Sequence, residues 1–169
     1  MWLYGNNQSC IKNLKSQALN SGIDDNRLIF ADYLPVEEHL KRIQLADLFL
    51  DTSPYNAHTT CSDAIRVGLP VLTITGKSFA SRVASSLLKA VGMDNLITTS
   101  ESEYESLAIE LASTPQKLKA IKAKLNVNRL DSTLFKPKLF TKHIEAALSN
   151  IYERSLNAEK PNHIYLDNE

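Results

Sequence analysis

The sequence predicts an α/β protein of the doubly wound class, with a parallel sheet followed by C-terminal helices. Up to about residue 100, short apolar runs alternate with segments of helical periodicity. Such alternation implies right-handed strand–helix–strand crossovers and a parallel sheet covered on both faces. Beyond residue 100 the pattern is helical throughout. These two observations predict a Rossmann-like sheet with a helical C-terminal part.

The predicted strands are short apolar runs bounded by polar or turn-forming residues. They lie at 2–4, 28–31, 48–50, 71–74 and 96–97. The first of them begins at Trp2, with no strand before it. We therefore expect the α/β part to be incomplete at its N-terminus and the chain to be a piece of something larger.

Start and stop residues bound several of the predicted helices. Pro35 opens one helix, with Glu37 and Glu38 in its first turn, where carboxylates suit the positive end of the helix dipole. Gly68 and Pro70 follow the helix predicted over 59–67 and end it. The remaining helices are predicted around 11–18, 83–91, 101–112, 115–129 and 137–154.

Three segments of different composition follow from this pattern. We predict an α/β lobe over 1–100, helices over 101–155 that pack on it, and a polar tail over 156–169.

Charge, hydropathy and cysteine content exclude several classes of partner. The chain has 19 basic and 19 acidic residues, so no overall field favours nucleic acid or a membrane surface. No apolar stretch approaches the roughly 20 residues that span a bilayer. Cys10 and Cys61 lack metal-ligand spacing, and no charged and apolar leader opens the chain. We expect a cytoplasmic protein with no metal site.

The triplet His58, Thr59 and Thr60 lies where the strand at 48–50 is followed by the next helix. In doubly wound sheets, ligands bind at this carboxyl edge of the strands. The first N–H groups of the helix, from about Thr59 to Ser62, lack helical partners and attract an anion. Hydroxyl and imidazole groups add further donors. The triplet therefore predicts a diphosphate site.

Three further residues extend this prediction from a diphosphate to a nucleotide. Asp63 lies one turn into the same helix, where its carboxylate could accept hydrogen bonds from ribose hydroxyls. His39 and Arg42 lie near the start of the preceding helix, which the topology brings to the same sheet edge. We predict that these residues surround one crevice. The same pattern also fits a ligand-free helix cap with surface histidines.

The segment LPVEEHLKRIQLADLFLDTSPYNAHTTCSDAIRVGLPVLTITGKSFASRVASSLL, residues 34–88, closely resembles the C-terminal catalytic lobe of the protein O-linked N-acetylglucosamine transferases. That family includes bacterial members with tetratricopeptide repeats (TPR) and is related to the SPINDLY proteins. The likeness runs from Trp2 to the KPNH segment at 160–163. It implies a two-lobed GT-B glycosyltransferase that is inverting and metal-independent, needs no separate cofactor and modifies Ser or Thr of proteins.

Carried over by position, the resemblance assigns donor-binding roles. The backbone near Leu34 and the Arg42 side chain would hold the uracil of UDP-N-acetylglucosamine, and His39 would stack on the base. Asp63 would bind ribose hydroxyls, and the triplet of His58, Thr59 and Thr60 would bind the diphosphate.

The resemblance also has limits along this chain. Animal members carry a lysine at the position of Val36, so one ribose contact is absent. A phosphate-binding lysine of the family, the acceptor-holding N-terminal lobe and the repeats would lie upstream of Trp2. We therefore assign no catalytic residue and expect the chain alone to be inactive. No Asp-x-Asp motif for a nucleotide-bound metal occurs.

Two alternatives remain open at this point. The related SPINDLY proteins transfer fucose from GDP-fucose and carry glycine or threonine at the position of His58, so this histidine favours the N-acetylglucosamine donor. The chain could also be a non-catalytic nucleotide-binding or assembly module, because a fold alone does not fix a function.

Overall fold

The computed structural model describes residues 1–166 of the 169-residue chain. Its residues cluster into two compact units, Met1–Leu45 and a second unit that starts at Ala46. The division predicted from the sequence, into a lobe over 1–100, helices over 101–155 and a tail over 156–169, stays a prediction. Positions 167–169 of the predicted polar tail lie outside the described residues.

The first unit contains two strand–helix pairs. Strand β1 (Trp2–Tyr4) is followed by α1 (Gln8–Asn20), and β2 (Ile29–Ala31) by α2 (Val36–Ile43). The strands pair in parallel, with Trp2 opposite Ile29. Asn7 caps α1, because its side chain accepts a hydrogen bond of 3.1 Å from the Cys10 N–H. Both strands were predicted from their apolar runs, and both are confirmed.

The second unit begins with a three-stranded parallel sheet of order β3–β4–β5. Its elements are β3 (Phe49–Leu50), α3 (Thr59–Val67), β4 (Val71–Ile74), α4 (Val83–Ala90) and β5 (Ile97–Thr98). The alternation of strands and helices makes both connections crossovers, as parallel pairing requires. The predicted α/β class with parallel strands is therefore confirmed, although the strands form two sheets where the sequence predicted one.

Three helices complete the second unit: α5 (Glu101–Ser113), α6 (Pro115–Asp131) and α7 (Pro137–Leu156). Ser100 caps α5 through a bond from the Glu103 N–H, and proline stands in the first turn of α6 and of α7. The predicted helices lie at these places, and α6 and α7 each continue two residues further than predicted. Among the helices of residues 1–166, none combines the length and apolar character that crossing a bilayer requires.

The core of the second unit lies around β4. Val71, Leu72 and Thr73 are fully buried there, and α3 packs its Cys61 and Ile65 side chains into the same interior. Apolar burial of this kind supplies most of the stability of a small domain.

Gly68 ends α3 in the left-handed region, at φ +84°. Other residues rarely adopt this φ, and a Cβ atom at this position would also lie 2.4 Å from the Asn126 Oδ1 atom of α6, so glycine is favoured there. The buried face and this tight C-terminal end fix α3 against the core. Its N-terminus is left at the carboxyl edge of β3.

Candidate functional site

The first turn of α3 contains backbone N–H groups without a hydrogen-bond partner among the described residues, and two of them belong to exposed residues, Thr59 and Thr60. The Ser62 N–H donates to the His58 carbonyl at 3.0 Å and is the first amide of the helix to be bonded. Within residues 1–166, the N–H groups of Thr59, Thr60 and Cys61 meet no acceptor, and His58 gives no side-chain cap. The sequence predicted free amides from Thr59 to Ser62, and this prediction was wrong only for Ser62, whose N–H is bonded. Three adjacent donors at a helix N-terminus are suited to an anion.

His58 is held by aromatic rings at the end of the loop that precedes α3. Its imidazole stacks on the Tyr55 ring, with centroids 5.0 Å apart, and meets the Phe79 ring edge-on at 6.0 Å. Its Nε2 atom lies 3.4 Å from the Ala80 carbonyl oxygen. Nδ1 has no hydrogen-bond partner among the described residues, so this nitrogen remains for a ligand.

The hydroxyl and carboxylate groups of α3 are also accessible. Thr59 and Thr60 are exposed, and Asp63 is half-buried. Within the described part of the chain, the Asp63 carboxylate makes no hydrogen bond or ion pair. A cavity of about 320 Å³ adjoins this region, and Tyr55, His58 and Thr60 are among its lining residues. The predicted residues of the second unit thus lie together at one open edge.

A larger depression of about 630 Å³ lies between β5 and α5. The Glu103 carboxylate on its wall already accepts bonds of 2.8 Å from the Thr99 N–H and hydroxyl, and these bonds lower the pKa of Glu103. The N-terminus of α5 on its wall is already capped by the Ser100 hydroxyl, and no imidazole of residues 1–166 lines the depression. We therefore take the smaller cavity as the candidate site.

In the first unit, His39 and Arg42 form one hydrogen-bonded pair on α2. The Arg42 Nη1 atom donates to the Asp32 carbonyl at 2.8 Å, and its Nη2 atom donates to His39 Nδ1 at 3.0 Å. Because a guanidinium group can only donate, Nδ1 accepts and the ring proton is on Nε2. Leu34 lies in the loop between β2 and α2. Because these residues belong to the first unit, their shared crevice with His58 stays a prediction.

Sequence reasoning missed Asp51, which is only 6% exposed directly after β3. Its Oδ1 atom accepts bonds from the N–H groups of Ala57, at 2.7 Å, and Thr52, at 2.9 Å. Its Oδ2 atom accepts a bond of 2.6 Å from the Thr73 hydroxyl. The sequence does carry a signal, because Asp51 is the first polar residue after the apolar run at 48–50, where sites form in parallel sheets.

The buried Asp51 charge also affects two neighbouring ionisable groups. Burial in the first place, and the Asp51 charge in the second, raise the pKa of Cys61 to about 12. The same two causes raise the pKa of Tyr104 to about 12, and its hydroxyl donates to the Asp51 carbonyl at 2.8 Å. Both groups therefore stay protonated near neutral pH.

Cys61 should resist alkylation in the folded chain. A thiol with its pKa raised to about 12 holds almost no thiolate at neutral pH, and the thiolate is the reactive form. Cys10 is exposed, so it serves as the internal control. We expect iodoacetamide to modify Cys10 alone in the native chain and both cysteines in urea, as read by mass spectrometry. Equal labelling rates in the native chain would contradict this account.

Comparison with known proteins gives consistent matches along most of the chain. A family model described as glycosyl transferase family 41 matches residues 1–144. A UDP-N-acetylglucosamine–peptide N-acetylglucosaminyltransferase of Caenorhabditis elegans is 35% identical over 90% of this chain and 13% of its own length. The probable enzyme SEC of Arabidopsis thaliana is 33% identical over 88% of this chain and 15% of its own.

The SPINDLY relatives and one solved structure match almost as far. A SPINDLY protein of Solanum lycopersicum is 33% identical over 83% of this chain and 15% of its own length. A mutant O-GlcNAc transferase of Thermobaculum terrenum superposes with a TM-score of 0.81 and 25% identity, over 90% of this chain and 29% of the other. That solved structure is a GT-B protein, so the predicted fold is confirmed. The chain spans less than a third of the length of each of these four proteins.

Proposed function

Because the chain belongs to glycosyl transferase family 41, we propose that it is the nucleotide-sugar-binding part of an inverting protein O-glycosyltransferase. The donor we propose is UDP-N-acetylglucosamine, and the acceptors are Ser or Thr hydroxyls of proteins. The observation that carries the proposal is the N-terminus of α3, where three unpaired N–H groups stand beside His58 and two threonine hydroxyls.

The start of α3 has the chemistry that a leaving nucleoside diphosphate requires. When the sugar is transferred, negative charge develops on the diphosphate oxygen that leaves. Fixed amide dipoles stabilise such charge without having to reorganise, and an imidazole donor adds a charge-assisted bond when it is protonated. These groups could therefore take the place of a metal ion, so the proposal includes no metal and no separate cofactor.

The base and the ribose would be bound by side chains outside this anion site. We assign the uracil to Arg42 and the backbone near Leu34, with the His39 ring stacked on it. The pair of bonds that Arg42 makes, to Asp32 and His39, holds that ring in place. Asp63 has an unpaired carboxylate within the described residues and would accept bonds from the ribose hydroxyls.

Other parts of the proposal concern the complete protein. The protein acceptor would bind a second lobe and TPR units upstream of this chain, with no role for nucleic acid or a membrane. A cytoplasmic location would suit the two free cysteines.

The choice of donor is tested by a nucleotide panel. Relatives of this chain include a probable N-acetylglucosaminyltransferase called SPINDLY. The resemblance to the SPINDLY proteins, and not that relative's name, makes GDP-fucose the competing donor. We expect the complete gene product to bind UDP and UDP-N-acetylglucosamine more tightly than GDP and GDP-fucose in calorimetric titrations. Preference for the guanine nucleotides would reject the UDP-N-acetylglucosamine proposal in favour of the fucosyl donor.

The 169-residue chain alone should show no transferase activity. In-line transfer needs an acceptor and a base held against the donor, and such positioning supplies much of the rate enhancement. The complete gene product should transfer radiolabelled N-acetylglucosamine to protein under the same conditions. Turnover by the isolated chain would contradict this division of roles. Nucleotide binding without transfer by the complete protein would favour a non-catalytic module.

Replacing Asp63 with alanine should selectively weaken ribonucleotides. If the carboxylate accepts bonds from ribose hydroxyls, its removal costs about 1.5–3 kcal/mol for UDP and much less for 2′-deoxy-UDP. Calorimetry with both ligands measures the difference. Asp131→Asn, at an exposed position of α6, is the matched control for lost charge. An equal loss for both ligands would remove Asp63 from the ribose site.

A further inference from the structure

The loop between β3 and α3 is ordered by hydrogen bonds within it and to the end of β4 and the segment that follows β4. The Thr52 hydroxyl donates to the Tyr55 carbonyl at 3.0 Å, and Asn56 Nδ2 donates to the carbonyls of Thr52 and Ile74, at 3.0 and 3.3 Å. The Asn56 N–H donates to the Ala80 carbonyl at 3.1 Å. This loop leads directly into His58 and the unpaired amides of α3.

Asp51 joins that loop to the central strand of the sheet. One carboxylate oxygen, Oδ1, holds the N–H groups at the two ends of the loop, those of Thr52 and Ala57. The other oxygen, Oδ2, is held by the Thr73 hydroxyl on β4. Ala57 immediately precedes His58, so the Oδ1 bond fixes the backbone next to the candidate anion site.

A buried carboxylate without a cation is costly, which makes its retention informative. Asp51 pairs with no lysine, arginine or histidine within residues 1–166, and only neutral donors face it. Three hydrogen bonds can compensate the burial, but a neutral side chain would fill the same place at lower cost if packing were its only task. The arrangement points to the geometry of the loop as the task of this residue.

We propose that Asp51 is a positioning residue for the donor diphosphate. By holding the amides of Thr52 and Ala57, it keeps the loop in the one conformation that leaves the first N–H groups of α3 and the His58 ring turned toward the ligand. It does not touch the ligand itself. This inference rests on the proposed function of the α3 site.

The two carboxylate oxygens separate positioning from fold stability. Asp51→Ala removes the bonds to the loop and to the sheet together. Thr73→Val removes only the bond to the sheet and leaves a buried carboxylate oxygen unpaired, so it should lower the thermal midpoint while the loop keeps its Oδ1 bonds. Asp51→Asn keeps an acceptor for the loop amides, and the Thr73 hydroxyl can turn to accept from the new amide group.

The experiment is calorimetric titration of UDP and uridine into each variant of the complete gene product, with thermal melting measured alongside. We expect Asp51→Ala to weaken UDP by about tenfold, because the displaced His58 ring or α3 amides would lose one charge-assisted contact with the diphosphate, and to leave uridine unchanged. Thr73→Val and Asp51→Asn should keep the wild-type ratio of the two affinities. Asp131→Asn is the control for lost charge.

Asp51→Glu is a second variant in case Asp51→Ala does not fold. It displaces the carboxylate by one methylene, so it should also lose the preference for UDP.

Two outcomes overturn the proposal, and they can be told apart. If UDP binds the wild-type protein no better than uridine, the proposed function of the α3 site fails, and the role of Asp51 fails with it. If the wild type prefers UDP but Thr73→Val loses that preference as much as Asp51→Ala, or Asp51→Glu retains it in full, Asp51 only stabilises the fold.

Discussion

Replacing His58 with alanine is expected to weaken UDP binding about tenfold or more and to leave uridine nearly unchanged. The ring is held between Tyr55 and Phe79, and its Nε2 atom faces the Ala80 carbonyl, so Nδ1 is the nitrogen that would donate to the diphosphate when the ring is protonated. Uridine lacks that charge. Calorimetric titration of both ligands into the complete gene product measures the contrast.

Two histidine variants control this result. His39→Ala should weaken both ligands, because its ring is assigned to the base. His163→Ala, at an exposed position of the C-terminal segment, should change neither. If His58→Ala weakened uridine as much as UDP, or affected neither, the triplet at 58–60 would be only a helix cap.

Replacing Leu72 with alanine is expected to cause the largest loss of stability, about 2–5 kcal/mol in the free energy of unfolding. Leu72 is fully buried on β4, the central strand of the second sheet, so the substitution leaves a cavity where the surrounding elements can collapse only in part. Urea unfolding of the 169-residue chain, followed by circular dichroism, measures the change.

Leu130→Ala is the matched control for this substitution. Leu130 is 70% exposed on α6, so its truncation should change the free energy of unfolding by less than about 0.5 kcal/mol. Similar losses for the two variants would contradict the assignment of β4 to the centre of the core.

Local signals explain why the secondary structure could be predicted from the sequence. Gly68 and Pro70 end α3 where the structure ends it, and the bounds predicted for that helix, 59–67, are those observed. The strand predicted from the apolar run at 71–74 likewise has the same bounds as β4 in the structure. Stop residues and apolar runs act within a few positions of themselves, so no knowledge of the tertiary fold is needed to use them.

The parts of the site that were missed depend on contacts between distant segments. The Asp51 carboxylate accepts a hydrogen bond from Thr73, which lies 22 residues further along the chain. The His58 ring is positioned by Phe79 and by the Ala80 carbonyl, both in the loop after β4. No spacing rule along the chain connects these residues. The error at Ser62 has a local cause, because the first helical bond already forms at that amide.

The sequence also did not predict the hydrogen bond between Arg42 and His39 on α2. His39 and Arg42 were assigned separately to the base, but Arg42 donates to His39 Nδ1 and so fixes which ring nitrogen carries the proton. Side chains three apart on a helix lie close together, but that spacing alone does not tell which of their atoms bond.

The most direct test of the central claim is a crystal structure of the complete gene product with bound UDP. We expect diphosphate oxygens at about 2.7–3.2 Å from the N–H groups at the start of α3, with His58 beside them and the uracil against His39 and Arg42. A diphosphate bound elsewhere, with the amides of Thr59 and Thr60 facing only water, would contradict the assignment of this chain as the donor-binding part.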